Sequence, residues 1–153
     1  VTIKKKNFNS FKKSFENAVK NNMQEFNKFQ ILLYDTEIFF DEINFKTYRI
    51  ISQMGPFGIS NLKPVFISKK CQEKTKTTLV GKNKEHLKLL IKDKKGKIMP
   101  GIAFNKSSYK DKIGGNVLFD ILYTIDENSW NGEKFLQLII KDFKINKPLT
   151  KKP

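Results

Sequence analysis

The side chains able to do chemistry in this chain are unevenly supplied. Fifteen carboxylates, one cysteine and one histidine, His86, stand against thirty cationic groups. Hydrolysis of a phosphodiester by two metal ions needs carboxylates and imidazoles gathered around ions about 4 Å apart. The acids here are scattered, with no D-x-D or D-H-H spacing. Asp41-Glu42 and Asp126-Glu127 are adjacent pairs in turn-like surroundings, which suits solvated or capping roles. A Ser/His/Asp set can be written down, but no spacing places it, and nothing near Cys71 would activate a thiolate. Binding chemistry is better provided. Lys82, Lys84, Lys88, Lys92 and Lys97 recur at short intervals, His86 stands among them, and Lys134 follows further on. Phe104, Tyr109 and the only tryptophan, Trp130, are interleaved with these. Lysines that track a phosphate backbone beside rings that stack on bases make a single-strand groove. Each ring also has a structural reading: Phe104 as core, Trp130 as the closure of a hairpin, Tyr109 as either. His86, on the polar side of its strand, is expected to face solvent or nucleic acid rather than to ligate.

The cations are concentrated. Residues 63–113 hold fifteen basic and four acidic groups, whereas residues 1–62 hold nine and six, and residues 114–153 six and five. Such a local excess favours a polyanionic partner. Arg49 is the only arginine. Lysine is a point charge without a planar fork, which suits phosphate contact better than bidentate reading of bases. Apolar residues make up 39% and include fourteen phenylalanines, enough for a packed core. No apolar run approaches the ~20 residues of a membrane helix. A lone cysteine allows no intrachain disulfide and fits a reducing cytoplasm.

Positioning these residues requires two kinds of architecture. Residues 1–3 read as the tail of a strand, as if the chain were cut from something longer. Phe8, Phe11, Phe15, Ala18 and Val19 recur at three and four residues, an amphipathic helix ending near Asn21-Asn22. Residues 30–40 are a strand candidate. Asn44 is placed to cap a second helix with Phe45, Tyr48 and Ile51 on one face. Residues 1–54 thus predict an incomplete α/β piece, and the Gly/Pro-rich residues 55–64 a joint. Beyond lie strands at 65–71 resuming through 75–80, at 86–91 and at 98–104. A partly helical segment, 105–113, leads to a final hairpin. The runs 117–125 and 135–143 flank a polar turn with Asn131-Gly132, a strong hairpin signal. Five strands with a short helix between the third and fourth is the layout of an OB-fold over residues 65–146, ahead of a basic tail, 147–153. The fold class is α+β. In that layout nucleic acid lies on strands 2 and 3, between the loop joining strands 1–2 and the loop joining strands 4–5. All the candidate residues except Tyr109 fall there.

The segment GPFGISNLKPVF (55–66) resembles the joint of RecJ-type single-strand-specific exonucleases, where a DHH-associated domain passes into an OB-fold. HLKLLIKD (86–93), GIAFN (101–105) and residues 120–142, with their DEN-x-W-NG turn, are similar to that family's barrel in order and spacing. Residues 2–21 are similar to the strand and helix after its glycine-rich GGH motif. Ser60 and Leu62 depart from the glycine and proline of the usual joint. The resemblance implies a 5′–3′ exonuclease of DNA repair and recombination. Its manganese or magnesium would be held by aspartates and histidines of an N-terminal DHH domain that is missing from these residues. This chain would then bind single-stranded DNA without cleaving it and without a cofactor of its own. The alternative is an interaction module whose basic groove takes an acidic peptide, such as the tail of a single-strand-binding protein.

Overall fold

The computed structural model describes residues 2–22 and 32–146 and divides the chain into two compact units, residues 1–32 and 33–153. In the first, a single 3-10 turn leads into α1 (Phe8–Asn22). Its apolar residues form the expected stripe, and the rings of Phe11 and Phe15, one helical turn apart, stack at 5.8 Å. Thr2 and Ile3 are not in a strand, so the strand expected there is not found among the described residues.

The second unit is built on one sheet. Its elements are β1 (Thr36–Glu37), α2 (Phe45–Gln53), β2 (Phe66–Val80), β3 (His86–Lys92), β4 (Ile98–Ala103), α3 (Lys110–Ile113), β5 (Phe119–Trp130) and β6 (Glu133–Ile145). The order is β1-β2-β3-β4-β6-β5, and β2 also pairs with β5, which closes the five long strands on themselves. This is the strand arrangement of an OB-fold, with α3 between its third and fourth strands. Leu87, Leu89, Ile91, Met99 and Ala103 alternate inward from β3 and β4 to meet Ile121, Tyr123, Ile125, Leu138 and Ile140. Gly101 lets β4 approach β6, because a Cβ there would lie 3.0 Å from Ile140 Cδ1 and 3.3 Å from Ile91 Cδ1.

Three expectations are corrected. The strand at residues 30–40 shrinks to Thr36–Glu37, parallel to Phe66–Ile67; Phe40–Glu42 is a 3-10 turn, and residues 30 and 31 lie outside those described. Phe40 is drawn out of that strand into the core, where its backbone N–H donates to Asp93. The two pieces of the first barrel strand are one continuous β2, bent by irregularities between Glu73 and Thr78 rather than broken. The polar turn of the hairpin is far shorter than its composition suggests. Pairing runs to Trp130↔Glu133, and Asn131 and Gly132 both take positive φ, as a two-residue turn of the I′ kind requires. Residues 126–130 are polar because this ribbon projects beyond the barrel, not because they are loop.

The second helix forms as expected, with the Asn44 side chain accepting from Thr47 N–H. Its Ile51 joins Phe40 and Ile43 in the barrel's core. The joint stays tight despite Ser60 and Leu62. Asn61 Nδ2 donates to Met54 O and Pro56 O, and Gly58 and Asn61 exchange backbone hydrogen bonds. A buried hydroxyl relay pins the entry segment to the barrel. Tyr123 Oη lies 2.8 Å from Ser68 Oγ, which donates to Ile38 O.

Candidate nucleic-acid interface

The registers of β2, β3 and β4 set side chains in rows across one face. Thr78, Lys88 and Ile102 form one row; Thr75, Leu90 and Pro100 the next; Gln72, Lys92 and Ile98 the third. All nine reach solvent at least in part, while Thr77 of β2, Leu87, Leu89 and Ile91 of β3 and Met99, Gly101 and Ala103 of β4 point inward. The face is therefore an apolar strip of Leu90, Pro100, Ile98 and Ile102 with Lys88 and Lys92 standing among it. At one end is the turn of residues 81–85 carrying exposed Lys82 and Lys84, the latter at φ 56°. The β5–β6 ribbon leaves the barrel at the opposite end, since β6 runs parallel to β4. Among the described residues none of Lys82, Lys84, Lys88, Lys92 and Lys97 is in an ion pair. Their charges are free to meet phosphates.

The remaining candidates divide. Trp130 is 73% exposed next to the ribbon's turn, so its ring is not closing a core. Phe104 is half exposed, with the His86 ring edge-on at 5.0 Å. His86 itself is engaged: Nδ1 accepts from Asn105 N–H at 3.1 Å and Nε2 lies 3.6 Å from Glu85 Oε1. Accepting at Nδ1 places the proton of the neutral ring on Nε2, toward the carboxylate. The imidazole thus braces the start of β3 against the end of β4. Lys134 donates to Glu127 at 2.7 Å, which holds its ammonium above the usual lysine range and leaves it less available to a phosphate. Tyr109 is tied into structure. Its ring packs on Phe143 at 5.1 Å and its hydroxyl meets Asp142, with Lys106 and Lys112 over the ring. Burial, and after it the Asp142 charge, push its phenol upward.

Side chains not singled out in the sequence complete the support. Asp93 is buried and its carboxylate accepts from the backbone N–H groups of Phe40, Lys95 and Lys97, which fixes the turn into β4 beneath Lys97. An aspartate opening D-K-K-G carried that signal as a side-chain-stabilised turn. Asp120 accepts from Lys70 N–H, at φ 55°, and from Asn146 Nδ2, holding β2 where it parts from β5. The outward placement of Thr75 and Thr78 had no sequence signal, because the irregularity in β2 shifts the alternation. Cys71 is fully buried, and burial pushes its thiol up to about 12. Among the described residues no three His, Cys, Asp or Glu side chains gather around one point. None of the described helices is long and apolar enough to cross a membrane.

A family model described as the RecJ OB domain matches residues 34–142. The single-stranded-DNA-specific exonuclease RecJ of Bacillus subtilis (strain 168) is 28% identical over 103 residues, covering 67% of this chain and 13% of the relative. The protein of the same name from Haemophilus influenzae is 26% identical over 144 residues, covering 92% of this chain and 24% of the relative. The chain spans less than a quarter of either relative's length.

Proposed function

This chain belongs to the RecJ OB-domain family, and from that premise we propose that its barrel binds single-stranded DNA across the outer face of β2, β3 and β4. One observation carries the reading: unpaired lysines flank an apolar strip on the face and crowd the turn at its end. Phosphates would lie against Lys82, Lys84, Lys88 and Lys92, with bases over Leu90, Pro100 and Ile102. At the ribbon's turn, Trp130 is exposed enough to stack on a further base. Lysine ammonium groups and aliphatic side chains read no base edges, so binding is tolerant of sequence.

In the longer relatives, single-stranded-DNA-specific exonuclease activity is named for the whole protein. In such a protein this barrel would hold the strand while another part cleaves it. Titration of a labelled thymidine oligonucleotide at several salt concentrations tests the reading. Changing Lys82, Lys84, Lys88 and Lys92 together to glutamine is expected to weaken binding and flatten its salt dependence. Unchanged affinity in that variant refutes the assigned face. Displacement of the oligonucleotide by an acidic peptide at equal charge would instead favour an interaction module.

A further inference from the structure

Between Glu73 and Asp93 the sequence holds six lysines and a single acid, Glu85, at the foot of the turn that carries Lys82 and Lys84. A carboxylate directed outward there would repel the phosphates assigned to those lysines. It is folded back into the turn instead. Glu85 Oε2 accepts from the backbone N–H of Asn83 at 2.8 Å, and Oε1 lies 3.6 Å from His86 Nε2. Gly81 leaves room for it, since a Cβ there would lie 2.8 Å from Oε2 and 2.9 Å from the carboxylate carbon. The turn closes with Lys84 N–H donating to Gly81 O at 3.1 Å. That closure uses left-handed backbone at both ends, with φ 95° at Gly81 and φ 56° at Lys84. Glycine adopts such a φ freely and lysine at a cost, so the turn needs support from a side chain. The bond from Asn83 N–H to Glu85 gives it. At the same residue the Glu85 carbonyl accepts from Ser107 N–H at 3.2 Å, which ties the foot of the turn to the segment after β4.

We propose that Glu85 is a positioning residue for strand binding: its carboxylate presets the turn so that Lys82 and Lys84 are held out toward the phosphates. The inference rests on the binding face proposed above and gives a role to the acid at its edge. A turn that is already formed spares the cost of ordering it when the strand arrives. Glu85 therefore aids the binding of a polyanion although its charge opposes it. The two effects differ in their response to salt, which screens the charge and leaves the position. They also differ in their response to substitution. Glutamine and alanine at position 85 carry the same charge, and only glutamine keeps an acceptor oxygen for Asn83 N–H.

The test is titration of the full chain with a labelled thymidine oligonucleotide. Glu85→Gln and Glu85→Ala are each measured alone and together with Lys82→Gln and Lys84→Gln. Glu85→Ala is expected to bind about two- to fivefold more weakly than Glu85→Gln, by the same factor at low and high salt. In the background lacking both lysines the two should bind alike, because Glu85 acts through Lys82 and Lys84. Amide NMR of Glu85→Ala should show changes at residues 81–86 and 105 and an otherwise intact barrel. Equal affinity of the two single variants overturns the proposal. So does a gap that survives the loss of both lysines, a gap that vanishes at high salt, or loss of the β3 and β4 pattern in Glu85→Ala. Failure here is separable from failure of the binding face. If replacing Lys82 and Lys84 weakens binding while Glu85→Ala and Glu85→Gln stay equal, only the positioning role falls. If replacing Lys82, Lys84, Lys88 and Lys92 changes nothing, the face itself is wrong and the role of Glu85 falls with it.

Discussion

Trp130 and Cys71 sit in opposite surroundings, and each sets an expectation. With 73% of its surface in solvent, Trp130 contributes little packing. Trp130→Ala should therefore leave stability within about 0.5 kcal/mol, yet cost about 1–3 kcal/mol of single-strand binding if the ring stacks. Its emission should be red and quenched by oligonucleotide; a signal indifferent to DNA and an unchanged affinity would leave binding to the lysines. Cys71 is fully buried, and burial raises its thiol from 9.0 to about 12. A raised acid favours the folded state while it stays protonated. The contribution is complete below pH 9 and is lost as pH rises toward 12, at roughly 1.4 kcal/mol per pH unit. Tyr123, also raised by burial, steepens the loss at the upper end of that range. Urea melts at stepped pH check this, and Cys71→Ala should flatten the decline between pH 9 and 12. At this scale the lysines were legible, because charge on alternate strand positions must face out. His86 was only half legible. Its place on the strand followed from alternation, but its bond to Asn105, nineteen residues away, depends on how β3 and β4 pair.

The strands of the barrel were readable where alternation and a turn signal coincided, as in β3, β4 and the hairpin. Reading failed where a tertiary partner overrode local pattern. Phe40 left its apolar run because Asp93 offered its N–H an acceptor inside the barrel. β2 continued through polar Gln72–Lys74 because β3 supplies a ladder there. The hairpin's strands continued through DENS because a two-residue turn keeps pairing to its end. Asp93 makes a prediction for the element it organises. Asp93→Ala would leave three backbone N–H groups without their acceptor, two in the turn before β4 and one at Phe40. Phe40 is buried whereas water can reach Lys95 and Lys97, so at about 1–3 kcal/mol for a buried group left unpaired the loss should be about 1–3 kcal/mol. Asp93→Asn keeps one acceptor oxygen and should lose less. Denaturant melts of the two variants decide it, and equal small losses would mean that the turn into β4 holds without the carboxylate.

At the scale of the whole molecule the cationic excess is spread unevenly, and the fold turns that pattern into a directional surface. Of the lysines scattered over 63–113 in sequence, Lys88 and Lys92 come onto one face and Lys82 and Lys84 onto the turn at its end, because β2, β3 and β4 are adjacent. A diffuse positive charge would bind single and double strands alike. A face about three rows deep with an apolar middle should prefer a strand whose bases can turn toward Leu90 and Ile102. If three to five phosphates are neutralised, log affinity for a single strand should fall against log salt with a slope of roughly −2 to −3.5. Duplex DNA should bind more weakly at the same salt, because its bases are stacked away from the strip. If, as proposed, the barrel only holds the strand, incubating the same protein with 5′-labelled single strand and manganese should release no mononucleotide. Equal affinity for duplex and single strand would reduce the face to a charged patch. Metal-dependent release by pure protein would show instead that cleavage resides in this chain.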